Sequence, residues 1–190
     1  MTAHPFLIVD KATFYRFLAA APEGRRYEFV NGRIVQDMGG GTLKHSKLAR
    51  RFSIVVERQL DEARWEVNNG SDRGVETSVT IRLPDVVVES AGASDDSLAT
   101  TEPVVIIEVL SQSSEERDIE AKPAEYTSLP SLEAYIVASQ DEPACLLWLR
   151  GADRTFSAQP TTIEGRDQVI HIPALSVAIP LAEVYRGIGS

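Results

Sequence analysis

The 190-residue chain is 43% hydrophobic and 25% charged, as is usual for a folded globular protein. No apolar run approaches the roughly 20 residues of a membrane-spanning helix, and the N-terminus lacks the basic start and apolar stretch of a signal peptide. Length and the single Cys145 therefore predict one domain, 1–190, in a reducing cytoplasm, with no membrane attachment. Cys145 lies in the apolar run CLLWL, which predicts a core residue and not a nucleophile.

The formal net charge of −9 argues against a simple electrostatic binder of nucleic acid. The charge is unevenly spread, because residues 1–82 hold 13 Lys/Arg against 10 Asp/Glu, and residues 83–190 hold 6 against 18. One predicted helix within residues 1–82 carries several basic residues. Its basic face could be either solvated or a patch that contacts phosphates. The basic residues concerned are Lys44, Lys47, Arg50 and Arg51.

The N-terminal half predicts a helix, a hairpin and a second helix in chain order. Asp10 is a candidate N-cap for the helix in DKATFYRFLAA. Asn31-Gly32, between YEFV and RIV, is the strongest short hairpin signal. Thr42 is a candidate cap for a helix over roughly 43–62, in which apolar residues recur at helical spacing. The segment WEVNNGSDRGVETSVTIRL predicts a strand, a turn and a strand.

The C-terminal half predicts mainly strands. They lie in DVVVES, PVVIIEVL, EAYIVAS, ACLLWLRG and RTFSAQP, with a helix before Pro130. QVIHIPALSVAIPLAEVYRG predicts a short strand, a turn and one helical turn over Leu181–Tyr185. Because strands and helices alternate without a steady βαβ rhythm, we expect an α/β (α+β) fold with a central mixed β-sheet and helices on its faces.

Two acids stand in apolar strands. Asp85 follows Pro84, a residue suited to a strand start, and Glu108 follows the run Val104–Ile107, which is typical of a strand covered on both faces. A buried carboxylate is costly unless something binds it. If the two strands are neighbours, the acids can converge on a cation, and Mg²⁺ is commonly held by one or two carboxylates with water and phosphate.

Three further residues are candidates for the same site. Lys122 precedes Pro123, so we expect it at the mouth of a helix, where it is either a surface lysine or a cation that stabilises charge on a reacting phosphate. Glu28 either points toward the pocket or lies on a solvated hairpin face. His45, in the first turn of the second helix, is either structural or catalytic.

Several segments together carry a resemblance to a known family. They are RRYEFVNGRIV, KHSKLARRF, LPDVVVE, VVIIEVLSQSSEERDIEAK, EYTSLPSLEAYIVASQDEP and ALSVAIPLAEVY, in this order from about Phe14 to Tyr185. In these segments the chain resembles the Uma2 family of bacterial proteins, a branch of the PD-(D/E)XK restriction-endonuclease-like superfamily. The resemblance implies a core sheet flanked by helices, with additional N-terminal and C-terminal strands.

The resemblance also implies site residues and an activity. Asp85 matches the PD aspartate and Glu108 the second acid, and the two would hold Mg²⁺ or Mn²⁺. Leu110 stands where the E-x-K lysine would be, and Lys122 is the match from the following helix. Glu28 matches an early acid of the family. The implied activity is hydrolysis of phosphodiester bonds in DNA by a homodimer.

Three functions remain open on the sequence. The first is a metal-dependent nuclease that acts on DNA, which the acid–acid–lysine set favours. The second is a catalytically silent module that binds nucleic acid or protein, which the acidic net charge favours. The third is a hydrolase of small phosphoesters. Metal binding separates the second from the other two, and the choice between plasmid and small phosphodiester separates the first from the third.

Overall fold

The computed structural model describes residues 8–37, 41–69, 73–110 and 117–188. The α-helices of these ranges are α1 (Lys11–Ala20), α2 (Leu43–Glu57), α3 (Lys122–Thr127) and α4 (Leu181–Val184). A π-helical turn, Arg117–Ala121, leads directly into α3, and a 3₁₀ turn spans Pro173–Leu175. The strands are β1 (Arg26–Val30), β2 (Arg33–Asp37), β3 (Trp65–Asn69), β4 (Gly74–Glu76), β5 (Thr80–Arg82), β6 (Val86–Ser90), β7 (Ala99–Thr100), β8 (Pro103–Val109), β9 (Ala134–Ala138), β10 (Ala144–Leu149), β11 (Thr161–Glu164), β12 (Val169–Ile172) and β13 (Val177–Pro180).

A six-stranded mixed sheet forms the centre of the fold. Its strand order is β11-β10-β9-β8-β6-β3, in which β8 and β9 are parallel and the other pairs are antiparallel. All seven residues of β8 are buried, as its apolar sequence predicts for a strand covered on both faces. Phe52 of α2 packs on the face that carries Ile107, and Tyr126 of α3 packs on the face that carries Ile106.

A second sheet, of order β2-β1-β5-β4-β7, packs against α1. The predicted hairpin is confirmed, with Val30 opposite Arg33 and the two turn residues Asn31 and Gly32 at φ of 50° and 81°. The Asp10 cap is also confirmed, since its side chain accepts a hydrogen bond from the Thr13 N–H.

The structure corrects one boundary and one predicted strand. Helix α2 ends at Glu57, and not near 62, because the N–H groups of Gln59 and Leu60 bond to the carbonyls three residues back, at Val56 and Glu57, and so end the regular helical pattern. The strand predicted in RTFSAQP is wrong. Phe156 makes only an isolated bridge to Arg150, next to a turn that holds Arg154 at φ 66°, and the strand that pairs with β10 is β11.

Two predictions about composition can be compared with the fold. Cys145 is 2% exposed and packs in the main apolar cluster, which confirms its place in the core. Among the described helices, none combines the length and apolar character needed to cross a membrane.

Candidate active site

Strand pairing sets Asp85 against Glu108. In the antiparallel pair of β6 and β8, Val86 lies opposite Ile107, and one residue further along this register Asp85 comes opposite Glu108. The main-chain N–H of Val109 donates to Oδ2 of Asp85 at 2.8 Å. The strands β6 and β8 are therefore neighbours, as expected, and Asp85, directly before β6, and Glu108, near the end of β8, lie at the same end of this strand pair.

Glu108 is buried and holds two partners from α3. It is 4% exposed, on the same face of β8 as Ile106. Its Oε1 lies 2.6 Å from Nζ of Lys122 and accepts a hydrogen bond from the Tyr126 hydroxyl at 3.3 Å. Lys122 and Tyr126 are one helical turn apart, so a single face of α3 presents both groups to the carboxylate.

Lys122 is not the surface lysine that its residue type would favour, since it is only 6% exposed. It is the first residue of α3, as its predicted place at the mouth of a helix requires, and the π-helical turn Arg117–Ala121 precedes it without a break. Pro123 lacks an N–H and cannot continue regular α-helical bonding to the turn before it, so the local geometry changes at Lys122. The stretch SQSSEE, which belongs to the family-like block, lies outside the described residues.

His45 approaches the other acid. The Thr42 side chain accepts from the His45 N–H at 3.1 Å and so caps α2, as predicted. This fixes the first turn of α2 over the strand edge, where Nε2 of His45 lies 3.1 Å from Oδ2 of Asp85. The sequence offered His45 no partner, and the fold supplies one.

A glutamine joins the start of α2 to the end of β8. Gln140, in the loop after β9, accepts from the Thr42 hydroxyl at 2.7 Å and donates to the Leu110 carbonyl. Next to it, Lys44 pairs with Asp141 at 2.6 Å on the surface. The elements that carry His45 and Glu108 are thus tied together by side-chain contacts, in addition to the apolar packing between them.

Glu28 is a buried residue of β1. It is 7% exposed, so a solvated hairpin face is wrong. Its described contacts are with β5 and the residue after it: Oε2 lies 3.1 Å from Nη1 of Arg82, and Oε1 accepts from the Leu83 N–H at 3.1 Å. Arg82 in turn binds both carboxylate oxygens of Glu125 on α3, at 2.8 and 2.7 Å.

Burial alone would lower the pKa of Arg82, but its hydrogen bonds to Glu125 and the charges of Glu28 and Glu125 outweigh this effect and raise the pKa.

Burial, followed by the charge of Glu108, raises the pKa of Tyr126 well above its ordinary value. Tyr126 therefore stays a neutral hydrogen-bond donor to Glu108. Sequence reasoning did not assign Tyr126 or Arg82 to the site. Helical spacing from Lys122 was the available signal for Tyr126, and no periodic pattern pointed to Arg82.

The four basic residues of α2 do not form one uniform patch. Lys47 and Arg50 are exposed, and Lys44 is paired with Asp141. Arg51 turns toward the C-terminal segment, where its Nη1 donates to the carbonyls of Val184 and Arg186 at 3.0 and 2.6 Å. Lys47 and Arg50 are thus the pair directed to solvent near the candidate site.

The carboxylates near the site are the candidate ligands for a divalent cation. Of the four carboxylates described above, Glu28 and Glu125 pair with Arg82, Glu108 pairs with Lys122, and Asp85 contacts His45. No group of three or more His, Cys, Asp or Glu side chains that could hold a metal occurs among the described residues. Asp85 and Glu108 supply carboxylate oxygens, the donors that Mg²⁺ and Mn²⁺ prefer, and such ions keep waters and bind substrate phosphate.

The chain matches one protein family and two Synechocystis proteins. The model of Uma2, described as "Putative restriction endonuclease", matches residues 12–182. The uncharacterized Synechocystis protein slr1290 is 26% identical over 86% of this chain and 85% of its own length. A second Synechocystis protein, uncharacterized sll1609, is 29% identical over 60% of this chain and 66% of its own length.

A solved structure shares the architecture. The crystal structure of "a putative nuclease belonging to DUF820" from Anabaena variabilis has a TM-score of 0.68 and covers 90% of this chain and 95% of its own, at 14% identity. Likeness at this identity concerns the fold, which is restriction-endonuclease-like, as the sequence predicted. Because the family model spans nearly all of the chain described above, the chain belongs to the Uma2 family.

Proposed function

We propose that the chain is a divalent-metal-dependent nuclease that hydrolyses phosphodiester bonds in DNA, with Mg²⁺ or Mn²⁺ at Asp85 and Glu108. The observation that carries the proposal is the buried contact between Glu108 and Lys122, together with the position of Asp85 at the same end of the β6–β8 pair. Membership of a family described as "Putative restriction endonuclease" supports it.

Each side chain has a role that follows from its contacts. A divalent ion, when bound, would supply an activated water and polarise the phosphoryl oxygens. Asp85 and Glu108 would hold it, with Asp85 oriented by the Val109 N–H and by His45. Lys122 acts through its charge, since an ammonium fixed beside Glu108 can neutralise charge that develops on the phosphate. Tyr126 donates to Glu108 and so limits its rotation.

DNA as substrate is supported by the exposed pair Lys47 and Arg50 on α2, the helix whose first turn carries His45. These residues would contact phosphates and give a binding strength that depends on salt. We further propose a cytoplasmic homodimer, because two sites would be needed to cut both strands of a duplex.

A catalytically silent binding module is the second candidate. The contact between Lys122 and Glu108 favours it, because an ammonium at 2.6 Å already balances this carboxylate without a metal. Under this alternative Glu108 and Lys122 would be a buried structural ion pair.

Calorimetric titration of Mn²⁺ tests the proposal. Wild-type protein should bind with one site, and Asp85→Asn, which keeps the size of the side chain, should bind at least about tenfold more weakly, because a ligand charge is lost. Asp141→Asn is the matched control, since it removes an exposed carboxylate that pairs with Lys44 outside the site. Absence of Mn²⁺ binding to wild type would overturn the proposal and leave the binding module.

The substrate is tested with the same three proteins. Supercoiled plasmid and bis(p-nitrophenyl) phosphate are each incubated with Mn²⁺, and product is followed by gel and by absorbance. Cleavage of plasmid by wild type and by Asp141→Asn, but not by Asp85→Asn, is expected. Turnover of the small ester alone would point to the third function, a hydrolase of small phosphoesters.

A further inference from the structure

A buried ion-pair cluster next to the site has no role in the hydrolysis described above. Arg82 lies between Glu28 and Glu125, and the side chains of the three are only 4%, 9% and 15% exposed. Replacement of such clusters by apolar residues is often neutral or stabilising, so their presence is weak evidence for a contribution to stability alone. What they do provide is a fixed geometry, because the guanidinium binds a carboxylate through two parallel hydrogen bonds.

The cluster connects two parts of the fold. Arg82 belongs to β5 and Glu28 to β1, both in the second sheet, and Glu125 belongs to α3, which lies on the central sheet. The Leu83 N–H also binds Glu28, at 3.1 Å, and so ties this carboxylate to the chain that leads into Asp85. We call Glu28, Arg82 and Glu125 the arginine clamp.

Helix α3 needs such an attachment. It has six residues, and a helix of this length has little stability of its own. It makes two sets of contacts: Lys122 and Tyr126 reach Glu108, and Glu125, between them in sequence, reaches Arg82. The height and rotation of α3 over β8 therefore depend on both attachments.

We propose that the arginine clamp positions Lys122, so that Glu28, Arg82 and Glu125 are positioning residues and not metal ligands. The proposal deepens the proposed function, since the consequence for catalysis rests on Lys122 acting at the phosphate. The placement of Lys122 itself does not depend on any activity.

Glu125→Gln tests the clamp with little change of size. The amide retains one acceptor for Arg82 but loses the charge and the paired hydrogen bonds. The matched control is Glu183→Gln, which breaks the arginine pair of Glu183 with Arg58 at the far end of α2. Arg82→Lys, which keeps the positive charge, serves as a second clamp variant if Glu125→Gln does not fold.

The first readout is the reactivity of Lys122 toward N-acetoxysuccinimide, followed by peptide mass spectrometry and normalised to the exposed Lys47. In wild type Lys122 should be protected, since it is 6% exposed. The clamp variants should increase its acetylation rate by about fivefold or more, and Glu183→Gln should not. Unchanged protection in both clamp variants would overturn the proposal, whether or not the protein is a nuclease.

The second readout is kinetic and separates positioning from metal binding. In the clamp variants kcat on plasmid should fall by about tenfold, with KM and the Mn²⁺ Kd within about twofold of wild type. Glu28→Gln should behave in the same way. A Mn²⁺ Kd weakened by tenfold in Glu28→Gln would show that Glu28 is a metal ligand and would overturn its assignment to the clamp. A wild-type protein without activity would defeat the proposed function, and the acetylation result would still decide the clamp.

Discussion

Nζ of Lys122 lies 2.6 Å from Oε1 of Glu108, although the two residues are 14 positions apart in the chain. The distance follows from the parallel pairing of β8 and β9, because parallel neighbours need a crossover connection and α3 belongs to that crossover. The lysine is thereby brought back over the strand that carries the acid. Its role in catalysis stays a prediction.

Lys122→Met removes the ammonium and keeps most of the side-chain volume. The rate of phosphodiester hydrolysis should fall by about 10²–10³-fold, the usual cost of losing one preorganised electrostatic group. Metal-free protein should also lose about 3 kcal/mol or more of stability, because Glu108 would remain buried without its cation. Both are measured on the same preparation, by plasmid cleavage and by urea unfolding.

Added Mn²⁺ should recover part of the lost stability of Lys122→Met, since a bound cation would replace the missing charge. Lys44→Met, which breaks the exposed pair with Asp141, is the control and should change neither quantity appreciably. Lys122→Met with the rate of wild type would remove Lys122 from the chemistry.

Lys47 and Arg50 should matter for DNA binding through their charge. The double change of both residues to Gln should lower the slope of log K against log salt by about 2 in magnitude, at roughly 0.9 per phosphate contact. Fluorescence anisotropy with a labelled duplex at several salt concentrations measures the slope. Arg16→Gln/Arg25→Gln removes the same charge from exposed residues near α1. If both double variants have the same slope of log K against log salt, Lys47 and Arg50 do not contact phosphates and lie on a solvated face of α2.

Glu76 should stabilise the folded protein by an amount that depends on pH. Burial raises its pKa, but hydrogen bonds from Tyr15 at 2.6 Å and Lys11 at 2.9 Å outweigh burial, so the pKa is lowered from 4.5. A carboxyl whose pKa is lower in the folded state stabilises above about 4.5 and loses this effect as pH falls through the folded pKa. Glu76→Gln should therefore cost about 1–2 kcal/mol at pH 7.

The difference in stability between wild type and Glu76→Gln should shrink as the pH is lowered below about 4.5, in urea unfolding curves taken at successive pH values. Glu23→Gln controls for the loss of one exposed carboxylate. A difference that stays constant down to acid pH would mean that the carboxylate charge of Glu76 does not stabilise the fold.

Cys145 should be unreactive in the folded protein. Burial raises the pKa of its thiol to about 12, with a hydrogen-bond contact to Tyr185 acting in the opposite direction. The reactive thiolate is therefore scarce at pH 8, and the side chain is inaccessible. Iodoacetamide at pH 8 should label native protein only slowly and urea-unfolded protein fully, as measured by mass spectrometry. Rapid labelling of native protein would contradict the buried position.

The sequence predicted those features that local patterns determine. The apolar run around Glu108 predicted a strand covered on both faces, Asn31-Gly32 predicted the hairpin, and Thr42 predicted the start of α2. Resemblance to the family then selected Lys122 from a region whose spacing alone favoured a surface residue.

The sequence did not predict features that depend on contacts between distant segments. Arg82 and Glu125 are 43 residues apart and lie in different layers, so no periodic pattern relates them. The sequence left a solvated face open for Glu28 because its buried cation, Arg82, belongs to another strand. The π-helical turn before Lys122 was missed because Pro123 usually indicates the start of a helix and not a change of geometry within one.

The crossover between β8 and β9 has a consequence for the order of folding. Glu108, Lys122 and Tyr126 all belong to the segment 103–138, so their contacts close shorter loops than those of His45 with Asp85 or Gln140 with Thr42. We expect this half of the site to form in the folding transition state, before α2 docks, which would leave the carboxylate of Glu108 compensated when water is expelled from the sheet. Conservative truncations at Ile106 and at Leu48 would compare the two halves, and a φ-value for Ile106 no greater than that for Leu48 would reverse this order.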